Sequence, residues 1–164
     1  MSTARTANLL GALSLALSDE IRSAAERQVT HGGSAPAALS LIGHEPGLSI
    51  DELARMLGMS HPGAVRLVQR LDRDRLIARK PTRDGRTSAL QLTAAGRKRR
   101  ARLLAERRTV LEGALKRLSA QERVQLAALL KKLLVGLKRD ALHAYAICRF
   151  CEETVCQRCP MAEG

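Results

Sequence analysis

At 164 residues the chain has room for one compact domain with a real core and is too short for two large ones. Its 45% apolar content includes one Phe, one Tyr and no Trp, so the core must be built from Leu, Ala, Val, Ile and Met, a palette that favours helices. The net charge of +12 is concentrated, with 16 Lys and Arg against four acids between Arg55 and Arg108 and 12 of each sign elsewhere; that block suggests a polyanion partner, nucleic acid before an anionic membrane, the plain alternative being a solvated basic surface.

No run approaches the roughly 20 apolar residues of a membrane span, and no membrane partner is expected. The stretch NLLGALSLAL, residues 8–17, resembles the apolar part of an export signal. Leu9, Leu10, Leu13, Leu17 and Ile21, however, recur at helical spacing, with Ser14, Ser18 and Arg22 on another face. The reading is a core helix from about Thr6 to Thr30 in a cytoplasmic protein, stopped by His31-Gly32-Gly33. A short apolar helix follows from Pro36 to His44. Ser49 and Glu52 then have the spacing of a capping box, opening a helix with Leu53, Ala54 and Leu57 inward that stops at Gly58. Ser60 caps the next helix, Pro62 sits in its first turn, and Val65, Val68 and Leu71 share one face up to about Arg73.

Two short helices joined by Gly58-Met59-Ser60 have the organisation of a helix-turn-helix, although a helical hairpin in any bundle would look similar. The second helix places Arg66, Gln69, Arg70 and Arg73 at i, i+3, i+4 and i+7, one stripe of long donors, behind a tip of Ser60, His61, Pro62 and Gly63. Free N–H groups and short side chains at the tip, with Arg behind, suit insertion into a major groove. The segment LIARKPTRDGRTSALQLT reads as two strands around Asp84-Gly85, a pair suited to a tight hairpin turn, and hence as a wing. Arg79, Lys80, Arg83 and Arg86 lie on or beside it. An Arg at a hairpin tip can enter a narrow minor groove, with Asp84 to orient it; an ordinary solvated hairpin is the alternative.

The stretch SIDELARMLGMSHPGAVRLVQRLDRDRLIARKPTRDGRTSALQLTAAGR resembles the DNA-binding core of the multiple antibiotic resistance regulator (MarR) family of bacterial transcription factors. Asp84-Gly85-Arg86 and Leu92-Thr93-x-x-Gly96 are its most specific part, and the likeness extends over about residues 5–140. It implies a homodimer whose first and last helices intertwine, whose second motif helix reads a pseudo-palindromic operator, and whose wing Arg, Arg86, enters the minor groove beside Asp84. The chain departs from the pattern at Arg75, where the family commonly has Gly.

Further along, Thr93 can cap a long helix running to Leu118, and Ser119 with Glu122 forms a second capping box. Leu126, Leu129, Leu130, Leu133, Leu134 and Leu137 then make an apolar stripe wider than one small domain needs to cover, so a partner chain is expected, an intrachain core being the alternative. All four cysteines follow in CRFCEETVCQRCP: Cys148, Cys151, Cys156 and Cys159. Two C-x-x-C turns can close a tetrahedral thiolate site for zinc, with an iron–sulfur cluster, a thiol–disulfide switch or no site at all as the other readings. His143 is a further candidate donor, though a lone His more often has no such role. If the four hold one metal, the tail is an independent knuckle, since thirteen residues cannot bury enough apolar surface to order themselves.

The expected fold is mainly α with a small β-hairpin wing, a winged helix-turn-helix with flanking dimerisation helices. It divides into N-terminal helices (1–45), a DNA-binding unit (46–96), dimerisation helices (97–141) and a cysteine-rich tail (142–164). The sequence has no phosphate-binding Gly loop, no nucleophile elbow and no H-E-x-x-H, and its adjacent carboxylates, Asp51-Glu52 and Glu152-Glu153, cannot face one substrate on a helix. The expected function is therefore not enzymatic. It is a homodimeric repressor of transcription that binds double-stranded DNA, modulated by metal or redox state at the tail, with any small-molecule effector unknown; the alternative is a non-specific architectural nucleic-acid-binding protein.

Overall fold

The computed structural model describes residues 2–27, 32–81, 88–152, 154–156, 159 and 161. Along the chain run α1 (Thr3–Glu26), α2 (Ala35–His44), α3 (Ile50–Leu57), α4 (His61–Arg73), β1 (Ile77–Pro81), β2 (Ser88–Leu92), α5 (Ala94–Leu115), α6 (Ala120–Leu137) and α7 (Ala141–Ile147). Side-chain caps start most of these helices. Ser49 and Ser119 form complete capping boxes with Glu52 and Glu122, Ser60 and Thr93 cap α4 and α5, and Asp140 caps α7. Each cap occupies N–H groups that the first turn cannot bond internally.

Helix α2 is apolar on every face and is the centre of the core, with residues 35–42 all buried. Leu53 of α3, Leu67, Val68 and Leu71 of α4, Ile77 of β1, Leu90 of β2 and Leu103 of α5 surround it. On α3 the inward set differs by one position from the expected one: Met56 is buried, whereas Leu57 is only partly covered at the core's margin. Strands β1 and β2 pair antiparallel from Ile77–Leu92 to Pro81–Ser88. The backbone of Leu48 extends the sheet on its other side, since Leu90 N–H donates to Leu48 O (2.8 Å) and Gly47 N–H to Leu90 O (2.9 Å).

The helix-turn-helix turn and the exit from α4 both use left-handed backbone. Gly58 has φ 61°, which a residue without Cβ adopts freely. Arg75 has φ 57°, the one non-glycine residue in this region among those described. Around it the chain makes a Schellman ending: Leu76 N–H donates to Leu71 O (2.9 Å) and Arg75 N–H to Asp72 O (2.8 Å), while Leu71 and Leu76 meet in the core. The position thus has a conformational reason to prefer Gly, and Arg75 bears the cost.

The first helix corrects its sequence reading. Leu9, Leu10 and Leu13 are 53%, 45% and 52% exposed, and only Ala24 and Ala25 of α1 are buried. The apolar stripe exists, but within one chain it is not core: its first half is exposed, Leu17 and Ile21 are only partly covered, and α1 is buried only near its C-terminal end. The helix also starts earlier than expected and ends at Glu26; residues 28–31 lie outside the described set. Helix α6 has no buried residue at all. Helix α7, by contrast, packs on α3, with Ala144 buried and Tyr145 and Phe150 against the core, so the C-terminal segment is docked on the protein and is not an independent knuckle.

Two substitutions test the α4–β1 junction. A Cβ at Gly96 would be driven into the Leu76 carbonyl oxygen, so Gly96→Ala should lower stability to chemical denaturation by ~1–3 kcal/mol, the usual cost of overpacking a rigid contact. Arg75→Gly should raise it by about 1 kcal/mol, because relief of left-handed strain exceeds the entropy that glycine adds to the unfolded chain.

Candidate nucleic-acid interface

Helix α4 begins with Ser60, whose hydroxyl accepts from Gly63 N–H (3.4 Å), and has Pro62 in its first turn. Ser60, His61 and Pro62 are exposed at this tip, and Gly63 is half-buried beneath them. His61 Nδ1 lies 2.5 Å from Asp51 Oδ1, so a carboxylate from α3 fixes the imidazole at the head of α4. The sequence reading did not single out Asp51 for this; its signal is that a residue one turn into α3 and the first of α4 face each other across a tight turn. Gly63 is small for a local reason, since a Cβ there would crowd the Ser60 hydroxyl at 3.1 Å and the Met59 methyl at 3.3 Å.

Behind the tip, Arg66, Gln69, Arg70 and Arg73 are all exposed and together line one shallow groove, as their spacing requires. The opposite face of α4 is buried through Ala64, Leu67, Val68 and Leu71, so the stripe is held outward by core packing on the other side of the same helix. Val65 is only partly covered. On β1, Arg79 Nε stands 3.6 Å from Asp72 Oδ2, a second carboxylate set between the helix and the wing. Lys80 is exposed beside it. Arg83, Asp84 and Arg86, and the Asp84-Gly85 turn, lie outside the described residues.

The basic block does not all face one way. Seven of its cations, Arg97, Lys98, Arg99, Arg100, Arg102, Arg107 and Arg108, are on α5, and several of these serve the fold. Arg97 donates to Leu92 O (2.9 Å), Arg100 Nε to Ser40 O (3.2 Å), and Arg108 pairs with Glu152 (2.9 Å). Gly43 on α2 leaves the space that the Arg100 side chain crosses. Between α2, β2 and α5 lies an open cleft of about 530 Å³ with Ile42, Leu92 and Leu104 on its walls and Arg97, Arg100 and Arg108 among its polar groups.

None of the four cysteines is in a disulfide; Cys156 is exposed and the others are half-buried. Burial, and then the charges of Cys159 and Cys156, push the Cys148 thiol pKa up, with Arg107 opposing. Among the described residues no three His, Cys, Asp or Glu side chains stand together as a metal-ligand group. His143 is engaged elsewhere, its N–H on Asp140 and its Nδ1 accepting from Arg139 Nε (3.3 Å). Among the described residues no helix is long and apolar enough to cross a membrane.

The family model of the MarR family matches residues 32–87, and no curated protein matches the chain. Among solved structures, MepR, a transcription regulator of the Staphylococcus aureus multidrug efflux pump MepA, superposes with a TM-score of 0.70 at 21% identity, over 84% of this chain and 100% of that one. A MepR point variant bound to an oligodeoxyribonucleotide aligns with a TM-score of 0.60 at 21% identity, over 81% and 98% of the two chains. The Mycobacterium tuberculosis MarR family protein Rv2887, in complex with salicylic acid, aligns with a TM-score of 0.59 at 27% identity, over 76% and 93%.

The helix that carries Asp51 has its own titrating cap. Bonds from the Ser49 backbone N–H and then the Ser49 hydroxyl lower the Glu52 carboxyl pKa below its ordinary 4.5. The charged form therefore stabilises α3 above about 4.5, and that contribution is lost as pH falls through the lowered folded value. Unfolding midpoints of parent and Glu52→Gln should differ most near neutral pH and converge in acid; a gap that widened in acid would contradict the cap. Residues 32–87 match the MarR family model, and the chain shares a winged-helix fold with MepR.

Proposed function

We propose that the protein is a homodimeric transcriptional regulator, a repressor of the MarR type, that binds a pseudo-palindromic operator in the cytoplasm and has no catalytic activity. The observation that carries this reading is the outward stripe of Arg66, Gln69, Arg70 and Arg73 behind an exposed helix tip, set on a winged-helix fold. In this reading Ser60, His61, Pro62 and Gly63 approach the base edges and the backbone at the tip, Arg66 and Gln69 read bases, and Arg70 and Arg73 hold phosphates. Arg83 and Arg86 act from the wing, Arg86 in the minor groove with Asp84 to orient it. That the MepR variant was solved on an oligodeoxyribonucleotide supports DNA as the polyanion.

Two uncovered apolar faces support the dimer. Leu9, Leu10 and Leu13 on α1 and Leu129, Leu130, Leu133 and Leu137 on α6 are between 43% and 61% exposed in the single chain. Faces of this kind are costly in water and are covered by each other in a second copy. The open cleft beside α2 and α5, apolar with cationic groups at its edge, suits a small organic anion as effector; the salicylic acid bound to Rv2887 supports that class. In the same reading the metal or redox state of the cysteine tail modulates operator binding.

Selection from random duplexes should return an inverted repeat, and footprinting should show a short protected site; uniform protection of any duplex would favour the architectural reading. Affinity should fall steeply with salt, since several phosphates are neutralised per subunit. Arg86→Ala should cost ~1–3 kcal/mol of operator affinity with the fold intact, while Gln69→Ala should change which bases are preferred. Leu133→Glu should give monomers by analytical ultracentrifugation and abolish operator binding; a dimer that persists with unchanged affinity would remove α6 from the interface.

A further inference from the structure

We propose that Cys148, Cys151, Cys156 and Cys159 form one tetrathiolate site for a soft metal centre, and that this centre clamps the C-terminal segment onto α3 and α5.

The segment's two ends are already fastened. On the near side Ala144 is buried, Tyr145 OH donates to Glu45 Oε1 (2.8 Å), and Phe150 packs on the core; on the far side Met161 is 4% exposed. Between them Glu152 is held by Arg108 at 2.9 Å. All four cysteines therefore lie on a short loop pinned to the protein at both ends and in the middle. Within the loop the backbone makes two turns. Cys151 N–H donates to Cys148 O (2.7 Å), closing the first C-x-x-C, and the N–H groups of Val155 and Cys156 both donate to Glu152 O (3.0 and 3.3 Å), turning the chain back.

The donor set selects the class of ligand. Four thiolates suit zinc or an iron–sulfur centre, whereas calcium and magnesium require oxygen donors, and the described carboxylate of the loop, Glu152, is paired with Arg108. Each thiol gives its proton to solvent as it ligates, so a tetrathiolate zinc centre carries two negative charges. Arg107 and Arg108 are consecutive on α5, the helix to which the loop is tied through Glu152, so cations are in place to offset that charge. Since among the described residues no three ligands stand together, binding must draw the cysteines inward, and the anchored ends limit that movement to the loop. The docked α7 then transmits the closure to α3, which carries Asp51 and so holds His61 at the tip of α4. This last step rests on the DNA-binding reading; the metal site does not.

The test is elemental and labile-sulfide analysis of the full chain, purified reduced and without oxygen, with its absorption spectrum. One zinc per chain without sulfide, or iron with matching labile sulfide and visible absorption, supports the site and tells the two centres apart. Cys148→Ser and Cys159→Ser should each lower the content to roughly a tenth or less while the helical circular dichroism is kept. Four thiols that remain freely titratable in excess Zn²⁺, and again after reconstitution with Fe²⁺ and sulfide, would overturn the proposal whatever the variants do. On removal of the metal by a chelator, hydrogen exchange should quicken by roughly tenfold in α7 and α3 and stay unchanged in α6. Quickening confined to residues 148–161 would overturn the coupling to α3. Neither readout involves DNA, so failure of operator binding is scored separately.

Discussion

The arrangement of this protein depends on a small backbone junction at Arg75 and Leu76. Thr93 caps α5 by accepting from Gly96 N–H (3.0 Å), and the same hydroxyl donates to Arg75 O (2.7 Å). Thr93 N–H donates to Leu76 O (3.1 Å), and Gly96 lies against that carbonyl with no room for a Cβ. One threonine and one glycine thus tie the end of α4, the start of β1, the end of β2 and the start of α5 to one point. Because the junction uses hydrogen bonds at fixed angles and not side-chain packing alone, the angle of α4 to the wing is set within narrow limits. In the proposed DNA-binding mode, a helix that enters a groove beside the hairpin would need that rigidity.

Charge is managed by the same economy of position. The three guanidinium groups on one face of α4, Arg66, Arg70 and Arg73, repel one another, and their repulsion is tolerable because all three are in water, where the interaction is screened. Asp51 and Asp72 stand at the two ends of the stripe, one on His61 and one on Arg79. These exposed pairs contribute little to stability. Their effect is to limit the rotamers of His61 and Arg79, so that less freedom would be lost on binding a polyanion of the proposed kind.

What could be read from the sequence follows from what is local. The start of α4 was legible because Ser60 and Pro62 are local devices, and the outward Arg stripe follows from them at once, whereas the left-handed exit at Arg75 was not, since an arginine carries no signal for that backbone. Met56 and Leu57 were harder, since one residue's rotation on a two-turn helix decides which faces α2, and both are apolar. The periodicity of α1 was legible, but its burial was not, because an apolar stripe looks the same whether its own chain or another covers it. The charge block misled in part for a similar reason. Composition counts Arg97, Arg100 and Arg108 with Arg66 and Arg70, whereas in the fold the former hold carbonyls and a carboxylate. The anchoring of the cysteine segment depends on Tyr145 meeting Glu45, a hundred residues away, which no spacing rule contains.

Helix α5 is where these threads meet. It packs against α1, α2 and β2, its first turn is the Thr93–Gly96 junction, Arg97 and Arg100 border the open cleft, and Arg108 holds Glu152 between the two cysteine pairs. A ligand in the cleft and a metal centre in the C-terminal loop would therefore press on one rigid element from separate sides. Neither could shift it without moving the junction that sets α4 against the wing. By linkage, whatever factor a bound effector or metal centre of the proposed kind imposed on operator affinity, the operator would impose in turn on the effector or metal.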